Sequence, residues 1–341
     1  MKTAIVILNW NGRKLLEEFL PNILLHSTEQ ATVIVADNAS TDDSISYIKK
    51  HYPQVKIIEN ATNEGFAEGY NAALKQVEAE YFLLLNSDVE VTAGWLNPLV
   101  NYMEAHPNTA VCQPKMRWYH HREKFEYAGA CGGFIDSWGY PFCRGRIFNT
   151  LEKDTGQYDA PSFVFWASGA CMLIRASVFH ASKGFDSIFF AHMEEVDLCW
   201  RIRNMGYDIV CLPSSTVYHM GGATLPKNNS RKTYLNFRNN LSMLYKNLPA
   251  SKLFPVILLR LILDGVAGIK FLIEGGPGDC FAVFRAHWKF YGWVLSGKLK
   301  RPIQIKHIKH ATIYDGSIVW NYYIQNKRTF TDLVFHPGKP Q

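Results

Sequence analysis

Cysteine is scarce and scattered in this chain. The seven cysteines (Cys112, Cys131, Cys143, Cys171, Cys199, Cys211 and Cys280) are odd in number and form no C-x-x-C pair. That excludes a disulfide framework and a zinc cage and points to a reducing compartment, where the sequons at Asn38 and Asn60 are expected to carry no glycan. Charge is thin as well, at 19% of 341 residues, against 48% hydrophobic and 14% aromatic. Disordered, collagen-like and coiled-coil chains are excluded, and one large domain, or one domain plus an appendage, is expected. Long uninterrupted apolar runs are missing. The run at residues 4–8 is cut by Asn9 before it reaches signal-peptide length, so it reads as a strand. The run at 253–273 is broken by Arg260, Asp264 and Lys270, which predicts an amphipathic helix lying on the bilayer or packed on the domain, and not a membrane span. Phosphate-cradling loops are absent too. No G-x-G-x-x-G follows the first run and no G-x-x-x-x-G-K-[ST] occurs, which removes dinucleotide and P-loop triphosphate binding.

What is present is an alternation of strands and helices. Short runs rich in Val, Ile and Leu at 4–8, 32–36, 55–58 and 81–85 read as strands buried on both faces. Between the first two, Leu15, Leu16, Phe19, Leu20, Ile23 and Leu24 fall at helical spacing, and Ser40-Thr41-Asp42-Asp43 resembles a capping-box start for the next helix. Strand, helix, strand predicts a mostly parallel sheet flanked by helices, with ligands at the carboxyl ends of its strands. Those ends are polar: Asn9-Trp10-Asn11-Gly12, Asp37-Asn38-Ala39-Ser40, Asn63-Glu64-Gly65-Phe66 and Asn86-Ser87-Asp88.

These strings resemble, in order, the successive motifs of family 2 glycosyltransferases. The order continues through Gly169-Ala170-Cys171-Met172, Glu194-Glu195-Val196-Asp197 and Val217-Tyr218-His219-Met220-Gly221-Gly222. The segment from Arg231 through Arg238 to Leu241 is similar to the rhamnosyltransferase-like branch. The resemblance implies a GT-A type nucleotide-diphospho-sugar transferase fold in residues 1–225, with a nucleotide-binding half at 1–113 and an acceptor half at 114–225. A helical, basic, membrane-associating region is expected at 226–341.

It also implies roles. Asp37 would accept a hydrogen bond from the imide of uracil or thymine, or else cap the following helix. Asn9, Asn11, Asn38, Ser40, Asn63, Gly65, Asn86 and Ser87 would line the donor site. Asp88 would hold a divalent metal (Mg or Mn) with His219 as the distal ligand. Asn86 stands where the metal motif usually has its first acid. Glu195 takes the place of the general base, usually an aspartate, with Glu194 or Asp197 able to share the work. Arg231 and Arg238 would meet the pyrophosphate or form a solvated basic face. Trp166, Ser168 and Gly169 are expected on the acceptor side, beyond an aromatic, aperiodic stretch at 114–161 that resembles a variable acceptor loop.

The implied reaction is inverting transfer of a sugar from a nucleoside-diphosphate donor, best rhamnose from dTDP-rhamnose or another dTDP- or UDP-linked sugar. The implied acceptor is a glycan or lipid-linked glycan at the cytoplasmic face of the cell membrane. The competing reading is a catalytically weak sugar-nucleotide-binding scaffold in an assembly complex. A nucleotidyltransferase lacks the Gly-rich basic loop it would need after the first strand. Charge is unevenly spread: residues 1–225 hold 18 Lys+Arg and 25 Asp+Glu, a net −7, and residues 226–341 hold 18 and 5, a net +13. A basic appendage on an acidic enzyme fits an anionic membrane surface and not a nucleic acid.

Overall fold

The computed structural model describes residues 1–221, 229–301, 311–338 and 340. The first half alternates β1 (Thr3–Asn9), α1 (Arg13–Ser27), β2 (Thr32–Asp37), α2 (Ser44–His51), β3 (Lys56–Glu59), α3 (Gly65–Leu74), β4 (Tyr81–Asn86), β5 (Val89–Val91) and α4 (Leu96–Ala105). Strands follow in close succession: β6 (Thr109–Trp118), β7 (His121–Phe125), β8 (Gly133–Asp136), β9 (Pro141–Cys143), β10 (Arg146–Ile147), β11 (Thr150–Leu151), β12 (Ser162–Phe163) and β13 (Cys171–Arg175). The rest comprises α5 (Ala176–Ala181), α6 (Glu194–Asn204), β14 (Asp208–His219), α7 (Ser230–Asn247), α8 (Ala250–Ile273), α9 (Pro277–Leu295), β15 (Ile313–Tyr314) and α10 (Ile318–Tyr323).

The large sheet runs β12-β14-β6-β13-β4-β1-β2-β3. Strands β4, β1, β2 and β3 are mutually parallel, as the crossover helices require, and β13 enters antiparallel between β4 and β6. Both faces are buried. Ala4, Val6, Phe82 and Leu84 pack to one side and Ile5, Ile7, Leu83 and Leu85 to the other, so these strands read as continuous apolar runs. The four expected strands are present, the third shifted by one residue. The capping box is not: Asp43 precedes α2 without a side-chain cap, and Asp42 instead accepts from the amides of Ser44 (3.1 Å) and Arg13 (3.0 Å).

The aperiodic stretch at 114–161 is not a loop. It forms a second, five-stranded sheet, β11-β10-β9-β8-β15, over an aromatic core of Phe134, Phe142, Phe330 and Phe335. Its strands are only two to four residues long, too short to show a period of two, and its fifth strand arrives from residue 313. The tail therefore folds back onto the acceptor half. The expected C-terminal helical region is present as α7, α8 and α9, and beyond it Ile313–Tyr314 adds β15 to the small sheet beside β8.

Candidate active site

The carboxyl ends of β1, β2 and β4 and the loop after β3 meet in a net of asparagines. Asn9 is fully buried, and its Nδ2 reaches Asp37 Oδ1 (2.9 Å), Ser44 Oγ (3.0 Å) and Ser40 Oγ (3.2 Å). Asn11, held at φ +51°, accepts from Thr41 N at 2.7 Å, and its amide donates to Ser40 Oγ at 2.9 Å. Asn38 Nδ2 donates to Asn63 Oδ1 (2.9 Å) and to the Gly65 carbonyl (3.1 Å). Asn9, Asn11, Asn38 and Asn63 thus tie strand ends to one another. These bonds fix the loops at the carboxyl edge of the sheet, where the donor site is expected. Asp37 caps: Oδ2 accepts from Ser40 N at 2.9 Å and Oδ1 from Asn9. Each carboxylate oxygen retains a second acceptor site, so capping leaves base recognition open to it. Gly65 sits at φ +88°, where a Cβ would lie 2.6 Å from Phe190. Ser87 lies beside Gly12, where a Cβ would be 3.8 Å from its Oγ.

Just beyond β4, Asp88 meets the end of β14. His219 Nε2 lies 3.1 Å from Asp88 Oδ1, and its Nδ1 lies 3.2 Å from Glu126 Oε1. Asn86 Nδ2 approaches His219 Nε2 at 3.5 Å. All three charged groups are buried. Burial works against each charge, yet His219 holds Asp88 below the usual carboxylate range, and the two carboxylates hold His219 well above the usual imidazole range. Sequence reasoning missed Glu126; it lies in the aperiodic stretch with no motif around it. Among the described residues no group of three His, Cys, Asp or Glu side chains is arranged to hold an ion. An oxygen from Asp88 and a nitrogen from His219 still suit a hard divalent ion that draws its remaining ligands from a diphosphate. Of the Met220-Gly221-Gly222 string, Gly221 N donates to Asp88 Oδ2 at 3.2 Å, and Gly222 lies outside the described residues.

The helix α6 begins with Glu194 and Glu195. Burial raises both carboxyls: Glu195 to about 7, and Glu194 well above its ordinary value with the charge of Glu195 adding to the shift. Desolvation therefore outweighs the stabilisation that the helix N-terminus gives to a carboxylate. Glu194 Oε2 and Glu195 Oε2 are buried without a hydrogen-bond partner among the described residues. Asp197 is different. Its carboxylate is fully buried and engaged by Arg201 Nε (2.8 Å) and Asn247 Nδ2 (2.7 Å), with Lys246 at 3.7 Å. Against the cost of burial, these groups hold it below the usual range. Asp197 is a structural ion-pair member and not a proton acceptor.

Gly169 lies next to Glu195: a Cβ there would meet Phe66 at 3.1 Å and Glu195 Cβ at 3.8 Å. The next residue, Ala170, accepts from Asn86 N at 2.9 Å, which brings the Glu195 side and the Asp88 side to one edge of the sheet. Trp166 and Ser168 do not line that edge. Trp166 is buried against Gly133 and donates Nε1–H to Phe134 O at 2.9 Å; Ser168 is buried, with its amide on Gln113 Oε1 at 3.0 Å. Arg231 is exposed over the Phe190 ring at 5.3 Å, near the cleft. Arg238 is buried, spends its donors on Phe189 O (3.1 Å) and Asn239 Oδ1, and lies over the Trp293 ring at 4.7 Å. It is neither a free phosphate ligand nor part of a solvated face.

Known proteins agree with this layout. Residues 4–181 match the family described as "Glycosyl transferase family 2". The chain is 27% identical over 222 residues to an N-acetylglucosaminyl-diphospho-decaprenol L-rhamnosyltransferase of Mycobacterium tuberculosis, covering 60% of this chain and 71% of that one. It is 23% identical over 244 residues to the low-salt glycan biosynthesis hexosyltransferase Agl10 of Haloferax volcanii, covering 69% and 73%. In fold it resembles the mannosyltransferase PcManGT from Pyrobaculum calidifontis, solved with GDP-Man and Mn2+, at a TM-score of 0.51 and 14% identity over 87% of this chain and 79% of that one. The match spans more than half of the chain: this protein belongs to glycosyl transferase family 2 and is a glycosyltransferase.

Proposed function

We propose that the chain moves a sugar, rhamnose from dTDP-rhamnose, onto a hydroxyl of a lipid-linked or cell-surface polysaccharide precursor, with inversion at the anomeric carbon. The observation that carries this reading is Glu195, a half-buried residue beside side-chain-free Gly169 whose carboxyl desolvation raises to about 7 and whose buried Oε2 has no hydrogen-bond partner among the described residues. The acceptor hydroxyl gives its proton to Glu195, its oxygen bonds to the anomeric carbon, and the bond from that carbon to the diphosphate breaks on the opposite face, releasing the nucleoside diphosphate. Asp37 accepts from the base imide, and the asparagine net keeps the donor loops in register. Asp88 and His219 would hold a divalent metal, Mg or Mn; when bound, such an ion neutralises negative charge on the diphosphate. The donor and acceptor choice is supported by the rhamnosyltransferase relative and by the Agl10 relative.

In this reading the enzyme works at the inner face of the cell membrane, and the surface of its C-terminal helices supports that. No helix among the described residues is long and apolar enough to cross a membrane. Instead α8 is amphipathic the wrong way round for a soluble helix. Its buried stripe is Val256, Arg260, Asp264 and Gly268, while Phe254 (76% exposed), Ile262, Val266, Ile269 and Ile273 (81%) face outward. From α9, Phe281, Phe284 and Trp288 extend the same kind of surface, with Arg285 and Lys289 beside them.

The test is a screen of dTDP-, UDP- and GDP-sugars for metal-dependent thermal stabilisation and slow donor hydrolysis, with Asp88→Ala as control. Stabilisation and hydrolysis with a dTDP-sugar, lost in Asp88→Ala, are expected. Stabilisation by none of the donors sinks the reading, and stabilisation without turnover on any supplied acceptor favours the scaffold.

A further inference from the structure

The four residues before α6 are held in an unusual backbone. Phe190, His192 and Met193 all lie at positive φ (+64°, +70° and +73°), and none is glycine. Left-handed backbone at a bulky residue costs on the order of 1–3 kcal/mol and persists only where its surroundings impose it. Two clamps impose it here. On one side, Phe190 O accepts from Phe66 N (2.7 Å) and Ala67 N (3.2 Å) at the start of α3. On the other, Asn239 on α7 spreads its Nδ2 over three carbonyls, those of Phe189 (2.8 Å), Ala191 (2.8 Å) and His192 (2.7 Å).

Arg238 settles which way that amide points. Its Nε (2.9 Å) and Nη2 (2.7 Å) both donate to Asn239 Oδ1, and Nη2 also reaches Phe189 O at 3.1 Å. A flipped amide would set oxygen against three carbonyls and nitrogen against a guanidinium. The pair is buried, Asn239 completely, beneath Trp293.

We infer that Asn239, oriented by Arg238, is a positioning residue for the proton acceptor: it fixes the left-handed Phe190–Met193 turn that aims Glu195 at the acceptor hydroxyl. The inference rests on Glu195 being that acceptor. The turn has no strand or helix of its own to define it, and Glu195 is only three residues beyond its last clamped carbonyl, that of His192. Displacement of a reacting group by about 1 Å costs up to about 10²-fold in rate. The Phe66 and Ala67 contacts also join the turn to the Asn38–Asn63 donor loop, so the donor-side frame and the base share one hydrogen-bonded unit.

Asn239→Asp keeps the side chain's shape and removes the donors; Arg238→Lys keeps the charge and removes the fork, and serves if the first variant does not fold. For either, expected results are a fall in kcat of about 10- to 100-fold, donor binding within about threefold of wild type, and a displaced acid limb in the pH profile of transfer. Wild-type kcat with an unmoved acid limb in a folded variant overturns the inference. Glu195→Gln assayed alongside separates the two readings: if it retains near-normal transfer, the base assignment fails, whatever the clamp variants do.

Discussion

The sheet and the α8–α9 hairpin solve opposite solvation problems. In the sheet, apolar side chains fill both faces and charge is pushed to the strand ends, where Asp37, Asp88 and His219 gather. In the hairpin, charge is inside. Arg260 and Asp264 pair at 3.1 Å, His287 lies 3.0 Å from Asp264, and Tyr140 lies beneath the Arg260 guanidinium at 3.9 Å, while phenylalanine, leucine and isoleucine face out. The contrast teaches that hydrophobic residues mark a core only where the structure covers them; uncovered on a basic, helical face they fit the membrane surface proposed above.

The comparison is tested hardest at the chemistry. Glu195→Gln removes the acceptor while leaving α6 and its Asp197–Arg201 pair in place, so transfer should fall by about 10²–10⁴-fold with donor affinity nearly unchanged; turnover assays and donor titration check both. The same substitution should raise thermal stability at alkaline pH. The Glu195 carboxyl is raised in the fold, so its protonated form favours folding below the unfolded value, and that advantage is lost as pH rises through about 7. A glutamine does not titrate, and melting curves from pH 5 to 8 should flatten accordingly.

A smaller effect separates the two regions directly. Phe82 is fully buried in the sheet, and Phe82→Ala should cost about 3–5 kcal/mol in denaturant unfolding. Phe284 is 64% exposed on α9, and Phe284→Ser should change stability by at most about 0.5 kcal/mol. The same Phe284→Ser should weaken binding to anionic vesicles in a sedimentation assay. Equal stability costs at the two sites would erase the distinction, as would unchanged vesicle binding.

Much of this was legible in the residues, for identifiable reasons. Strands β1, β2 and β4 are buried on both faces, so they appear as unbroken Val, Ile and Leu runs, and the polar strings after them mark the ligand edge. Gly169, Glu195, Asp88 and His219 come to one edge of the sheet because strand and helix ends position them. Four other expectations failed for one physical reason. Asp197, Arg238, Trp166 and Ser168 carry suitable chemistry, but each is consumed by a partner distant in sequence, such as Asn247 for Asp197 or Phe134 for Trp166. No local pattern reports such partners. Glu126 was missed because strands of two to five residues leave no periodicity, and the return of the tail to that sheet joins segments nearly 180 residues apart.

The central claim is that Glu195, poised near neutrality by burial, takes the acceptor's proton. The pH profile of kcat/KM for the acceptor tests it most directly, because that ratio reports the free enzyme's essential base. The account predicts an acid limb centred near pH 7, with activity lost as pH falls through it and the limb absent from the residual activity of Glu195→Gln. A profile flat from pH 5.5 to 8, or a limb that survives unchanged in Glu195→Gln, would contradict it.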